Sequence, residues 1–298
     1  MIRRPVRDVP PGYVVHRVAD ATLVFDAGLA SELVNLRLAD PAARKRLFAR
    51  APKRGRGAAP SVALRRDVSV ILRRYQHGGV FGAFTGMLHL GLSRALEELH
   101  VTARAEASGA PVPHVVCLAL WPAAGPFWSA LIGTREERGA RDLYEVLLAS
   151  EDTRARRALL REVGAAVRKL HDAGVDHRDL QLRNILVVDD GAKRRIVVID
   201  LDRAVYHSRG ALASRLRARN LGRLTRSAVK TGLWQGHVGL RELAAFVAGY
   251  TAGDRRLRAE LRGWIRSEQW KLALHRLRYR FISPVEPPRG SAAPLRRA

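Results

Sequence analysis

Apolar residues recur at spacings of three and four over residues 156–173, where Leu160, Val163, Val167 and Leu170 share a face and Arg and Glu fill the other. That pattern predicts an amphipathic helix, with Gly174 as its stop. A second helix is predicted over 93–107, carrying Leu96, Leu99 and Ala103 on one face and ended by Gly109. Short apolar runs predict strands at 61–64, 68–72, 115–120 and 128–132, and again at 185–188 and 196–199. The last two flank Asp189-Asp190-Gly191, a hairpin signal that sends the chain back on itself. Residues 142–148 and 240–274 carry helical patterns, so a strand-rich first part precedes a helical second part. Before residue 50 the pattern is weaker: strands at 13–16 and 21–25, then a helix within 30–50 marked by Leu33, Leu36 and Leu38.

Composition narrows the class. At 298 residues and 47% hydrophobic content the chain is long enough to bury a full core. It shows no long uncharged apolar run, and its first residues lack the apolar centre of a signal peptide, so a cytoplasmic protein is expected. The single cysteine, Cys117, excludes an internal disulfide and a cysteine-based metal site. Its setting, Val-Val-Cys-Leu-Ala-Leu, predicts a buried strand position. The net charge of +25 attracts polyanions: nucleic acid, an anionic membrane or a phosphorylated glycolipid. Nine Arg or Lys stand from Arg203 to Arg241, and no acid falls between Asp202 and Glu242. Leu212, Leu216, Leu221 and Leu224 keep a helical stripe among them. Pro284 opens a basic, Pro-containing tail, expected to be disordered.

The chemistry concentrates in residues 175–202. Asp179 and Asn184 stand in a loop that runs into the strand at 185–188, and the return strand delivers Asp200 beside them. Three oxygen-bearing side chains on adjoining strand ends suit a base for a hydroxyl together with two ligands for hard divalent cations that also hold nucleotide phosphates.

His177-Arg178-Asp179-Leu180 followed by Asn184 resembles the protein-kinase catalytic loop. The preceding Leu170-His171-Asp172-Ala173-Gly174-Val175, the ending Ile199-Asp200-Leu201-Asp202-Arg203 and the upstream Arg73-Arg74-Tyr75-Gln76-His77-Gly78-Gly79 are similar to the Kdo kinase family of lipopolysaccharide-core kinases. The resemblance spans roughly residues 55–250 and departs from Asp-Phe-Gly at Asp200-Leu201-Asp202. It implies a protein-kinase-like, two-lobed α+β fold. The expected divisions are an N-terminal extension to residue 50, a small β-rich lobe over 51–132, a helical lobe over 133–283 and a tail over 284–298. It also implies Asp179 as base, Asn184 and Asp200 as Mg²⁺ ligands, and ATP as phosphoryl donor. Arg73 falls at the position of the usual phosphate-gripping Lys, with Arg74 as the alternative. Glu98 is its expected partner, with Glu97 in reserve. Gly55 and Gly57 stand where a nucleotide loop belongs, and backbone groups from Thr134 to Glu137, Glu136 among them, would meet the adenine.

By the same resemblance the acceptor is a sugar hydroxyl on the Kdo of a lipid A precursor, with heptose of the same core as a near variant. The enzyme would then work at the cytoplasmic face of a bacterial inner membrane, docked on an anionic surface with no nucleic-acid partner. Two other readings share the same residues: a kinase acting on protein Ser/Thr or a small alcohol, and a catalytically silent, kinase-like scaffold. The missing Lys favours the scaffold, whereas the joint presence of Asp179, Asn184 and Asp200 opposes it.

Overall fold

In a computed structural model, residues 8–263 are described, apart from 50, 52, 55–56, 76–88, 91–92, 124–126, 190, 192, 209 and 235. Gly55, Gly78, Gly79 and the tail at 284–298 therefore lie outside the described residues. The chain divides into a unit over Met1–Gly253 and a second over Asp254–Ala298. In the second, residues 255–263 are helical and Asp254 accepts a hydrogen bond from the Leu257 N–H at 2.9 Å.

The first unit begins with β1 (Tyr13–Val18) and β2 (Ala21–Asp26), then α1 (Ala30–Asn35) and α2 (Pro41–Ala49). Short strands β3 (Lys53–Arg54), β4 (Gly57–Ala58) and β5 (Ser61–Ala63) lead to β6 (Ser69–Arg74). After β7 (His89–Leu90) come α3 (Ser93–Ala107), β8 (Val115–Pro122) and β9 (Phe127–Arg135). An antiparallel sheet runs in the order β1-β2-β8-β9-β6-β5, with β7 on β9, and β3 pairs with β4 in a hairpin of its own.

Residues 13–26 are thus part of this lobe rather than an extension before it, because β2 pairs with β8 from Thr22↔Leu120 to Phe25↔Cys117. That pairing spans nearly a hundred residues of chain, and no local pattern announces it. The helix expected over 30–50 is two short helices, broken where Arg37 takes a positive φ of 50°.

The sheet has no wet face at its centre. Leu23, Phe25, Val70, Leu72, Cys117, Ala119 and Leu131 pack on one side with Leu33 of α1 and Leu38. Val24, Leu118, Leu120, Ala130 and Ile132 pack on the other with Ala95 and Leu99 of α3. Side chains alternate along a strand, so a strand covered on both faces is apolar at every position, as 115–120 is. Gly133 fits because a Cβ there would lie 2.9 Å from both Leu72 and Val70. Burial pushes the Cys117 thiol up to about 12, leaving it inert at neutral pH.

The helical lobe starts at β10 (Arg141–Asp142), which leads into α4 (Leu143–Ala149); α5 (Thr153–Asp172) and β11 (Val175–Asp176) follow. A single 3₁₀ turn at Leu182–Asn184 enters β12 (Ile185–Asp189), which turns back as β13 (Arg194–Val198). Then come β14 (Val205–Tyr206), α6 (Ser214–Lys230) and α7 (Leu240–Thr251). Asp142 caps α4 by accepting the Glu145 N–H at 2.8 Å, and Asp152 caps α5 through the Arg154 N–H at 2.7 Å. Helices α5 and α7 cross in backbone contact, since a Cβ on Gly164 would collide with Phe246 O and one on Gly249 with Arg161 O. That contact fixes α5, whose C-terminal end carries the chain into β11 and the loop after it.

Candidate active site

Two short pairings pin the ends of the loops that carry the polar residues. Val175 and Asp176 pair with Tyr206 and Val205, so one ladder closes both the loop after β11 and the loop after β13. Between these ends His177, 1% exposed, bonds through Nε2 to the Ile199 carbonyl at 2.9 Å, while its Nδ1 accepts the Asp179 N–H at 3.3 Å. The carbonyl bond places the ring proton on Nε2. Asn184 donates from Nδ2 to the Asp179 carbonyl at 2.9 Å, and its own carbonyl accepts the Ile199 N–H at 2.9 Å. Asp179, Asn184 and the approach to Asp200 are thereby cross-linked into one frame.

Asp200 has a φ of +67°, the left-handed region that an Asp adopts only where its surroundings enforce it. Buried Leu201 anchors the turn that follows. The Asp200 Oδ1 is buried without a hydrogen-bond partner and lies 3.5 Å from the Arg73 Nη1. The Asp179 carboxyl is raised above its ordinary value, first by partial burial and then by the charge of Asp200.

Arg73 is the cation of this frame. Its Nη2 meets the Glu98 Oε1 at 2.6 Å, and its guanidinium stands 5.3 Å from the centre of the Tyr75 ring. Burial opposes its charge, but Glu98, Tyr75, Asp200 and Asp202 together outweigh burial and raise its pKa. Tyr75 also hydrogen-bonds the Glu98 Oε2. Glu98 is 5% exposed, and burial raises its carboxyl against the opposing pull of Arg73 and Tyr75. The alternatives fall elsewhere. Arg74, one position along β6, points to the opposite face and packs at 4.1 Å over Phe48, and Glu97 is exposed.

The expected adenine contacts are placed differently. Thr134 lies inside β9, opposite Ile71 on one side and Val115 on the other, so its peptide groups serve the sheet. Glu136 gives its N–H to the Ser69 carbonyl at 2.8 Å and accepts from the Ser61 hydroxyl through its carboxylate. Neither has a free N–H for a base, because β9 extends further than its apolar run suggested. Gly57 opens β4.

Three features escaped the sequence reading. Asp202 forms an ion pair with Arg94 of α3, one helical turn before Glu98, so that helix is tied to the site twice. Buried Asp176 pairs with Arg178 at 3.2 Å and with Arg219 of α6 at 2.9 Å. Gln181 donates to the Asp179 Oδ2 at 3.4 Å. The departure from Asp-Phe-Gly at Asp202 was the only signal for the first, and the other two carried none.

The residues present suit a hard cation bound jointly with phosphate. Asp200 offers a buried oxygen with no hydrogen bond, and Asn184 has its Nδ2 committed to Asp179 and its Oδ1 left over. Among the described residues no cluster of three or more His, Cys, Asp or Glu forms a metal cage. Two oxygen ligands with substrate phosphates completing the shell is the usual arrangement for Mg²⁺.

Comparison with known proteins identifies the family and the fold. Residues 43–250 match the model of the "Lipopolysaccharide kinase (Kdo/WaaP) family". A 3-deoxy-D-manno-octulosonic acid kinase from Vibrio cholerae is 28% identical over 203 residues, covering 66% of this chain and 80% of that protein. One from Haemophilus influenzae is 29% identical over 165 residues, covering 54% and 66%. The solved structure of WaaP in complex with acyl carrier protein is similar in fold, with a TM-score of 0.54 at 23% identity, covering 78% of this chain and 91% of that one. With a protein-kinase-like α+β fold, the chain belongs to the lipopolysaccharide kinase (Kdo/WaaP) family and is a phosphotransferase that acts on a sugar hydroxyl.

Proposed function

We propose that the protein transfers the γ-phosphoryl group of ATP to a hydroxyl of 3-deoxy-D-manno-octulosonic acid (Kdo) on a lipid A precursor. The observation that carries this reading is the convergence of Asp179, Asn184 and Asp200 with the Arg73–Glu98 pair on one frame. Asp179 orients the acceptor hydroxyl and takes its proton as the new O–P bond forms and the bond to ADP breaks; the proton then passes to solvent. Partial burial and the neighbouring charge of Asp200 raise its pKa, which strengthens it as a base. Arg73, held by Glu98 and Tyr75, grips the nucleotide phosphates. Asn184 and Asp200 would hold Mg²⁺, which supplies neutralisation of the phosphate charge. Backbone beyond Glu136 would meet the base.

A basic surface suits an acceptor carried by an anionic membrane, to which the enzyme would bind peripherally on the cytoplasmic side. No helix of the described residues is long and apolar enough to cross a membrane.

The test is a purified enzyme with Mg-ATP offered a Kdo-bearing lipid A precursor, the same precursor without Kdo, a protein substrate and a small alcohol. A mass gain of one phosphoryl group is expected on the first alone. Asp179→Asn should lower turnover by about 10²- to 10⁴-fold while nucleotide binding persists. Phosphorylation of the Kdo-free precursor or of protein instead would overturn the acceptor, and a variant within about threefold of wild type would remove Asp179 as base.

A further inference from the structure

Helix α6 lies along the catalytic loop and is pinned to it at two points. Arg219 reaches the Asp176 Oδ2 at 2.9 Å, and the Ser227 Oγ accepts the Leu182 N–H at 3.2 Å. Residues 219, 223 and 227 form one i,i+4 stripe. Asp176 and Leu182 stand three residues to either side of Asp179. The middle residue of the stripe, Arg223, is therefore held over the middle of the loop, within electrostatic reach of Asp176 and Asp179.

Arg223 has no acid of its own. Its one hydrogen bond runs to the Arg219 carbonyl at 3.4 Å, and among the described residues no carboxylate forms an ion pair with it. It is partly buried, and burial followed by the neighbouring charge of Arg219 lowers its pKa. Arg203 also acts on Asp179 from the other loop. Arg183, by contrast, is turned away to Asp142 at 3.4 Å and Tyr144 at 4.5 Å. A partly buried guanidinium beside the base, with no carboxylate in ion-pair contact among the described residues, is complementary to an anion that arrives with the substrate.

We propose that Arg223 binds the carboxylate of the acid sugar and so sets which hydroxyl faces Asp179. This rests on the acceptor class argued above. It makes the site selective for an acid sugar over a neutral one, because a neutral sugar would leave the guanidinium partly buried and unpaired.

The test is binding rather than turnover. Affinities of the methyl glycoside of the sugar acid and of its carboxamide are measured by titration calorimetry for wild type, Arg223→Lys and Arg223→Gln. Wild type should prefer the acid by about 10- to 100-fold, the scale of a charge-assisted hydrogen bond. Arg223→Lys should keep part of that preference and Arg223→Gln should abolish it, with affinity for a non-hydrolysable ATP analogue unchanged in both. No preference in wild type, or full preference in Arg223→Gln, overturns the proposal. So does a loss confined to the ATP analogue, which would assign the cation to the nucleotide phosphates. Failure of the acceptor reading shows separately, as absent phosphoryl transfer by a wild type that still distinguishes acid from amide.

Discussion

Replacing Arg73 by Ala separates what the Arg73–Glu98 pair does for stability from what it does for ATP. Glu98 is 5% exposed, and its two oxygens are held by Arg73 at 2.6 Å and by Tyr75. Removing one partner of a buried pair costs about 3–5 kcal/mol, because the survivor is left charged and unpaired. The Arg73 side chain is 38% exposed, so solvent screens part of the loss and about 2 kcal/mol is the better figure. At about 2–4 °C per kcal/mol, Arg73→Ala should lower Tm by about 4–8 °C. The sign of its pH dependence is fixed too. Glu98 already lies above its ordinary value, and losing the cation lifts it further, so the deficit should shrink as pH falls and Glu98 becomes protonated. Arg73→Met with Glu98→Leu should recover most of the stability, since an apolar pair can replace a buried ionic one. On the role proposed for Arg73, ATP use should not recover without the guanidinium, so KM for ATP should stay at least about tenfold above wild type. Scanning calorimetry and steady-state kinetics on the two proteins decide this. An unchanged Tm in Arg73→Ala, or a normal KM for ATP in the double variant, would refute the reasoning.

Two further outcomes follow from the structure. Breaking the Arg94–Asp202 pair by Arg94→Ala should raise the Mg²⁺ concentration needed for half-maximal rate by severalfold, since the turn that presents Asp200 loses its tie to α3; Arg94→Asp with Asp202→Arg should restore it, and a Mg²⁺ titration unmoved by Arg94→Ala would discard the tie. His114 sits between Glu106 at 2.9 Å and Asp26 at 3.0 Å, which together raise its pKa against burial, so its stabilisation is complete below the unfolded value of about 6.5 and is lost as pH rises through the folded value; urea titrations at several pH values should show that loss in wild type and not in His114→Ala.

The parts of the site that sequence made legible are those whose partners are near in the chain or are set by periodicity. Asp179 and Asn184 share one loop, Asp200 follows one hairpin later, and Glu98 stands on the buried side of a helix whose stripe was visible. Arg73 and Arg74 could not be separated by pattern alone, because both end an apolar strand. Strand alternation separates them once the sheet is assembled: one side chain faces Glu98 and the other Phe48. The end of β9 was set too early because Gly133 and Thr134 carry no apolar signal, yet Gly133 is required by the packing of Leu72 and Val70 and the strand continues through both. The hairpin of β1 and β2 looked detached because the strand that receives it lies beyond α3.

Charge shows the same limit most clearly, and it changes what α6 can do. Along the chain the stretch from Arg203 to Arg241 holds cations and no acid, a pattern that by itself reads as one basic face free to dock on anionic lipid. In space two of the arginines on that helix meet acids from before the stretch begins: buried Arg217 reaches Asp172 at 2.6 Å, and Arg219 reaches Asp176 at 2.9 Å. Both acids stand at the junction of α5 with the catalytic loop, so these pairs brace the loop and cannot serve a membrane as well. Arg219 is thereby removed from the docking face, and the stripe it begins turns inward toward Asp179. What looked like a single basic surface therefore divides by role. Arg217 and Arg219 hold the loop in place, whereas Arg223, left without an acid between them and Ser227, is the cation available to the substrate.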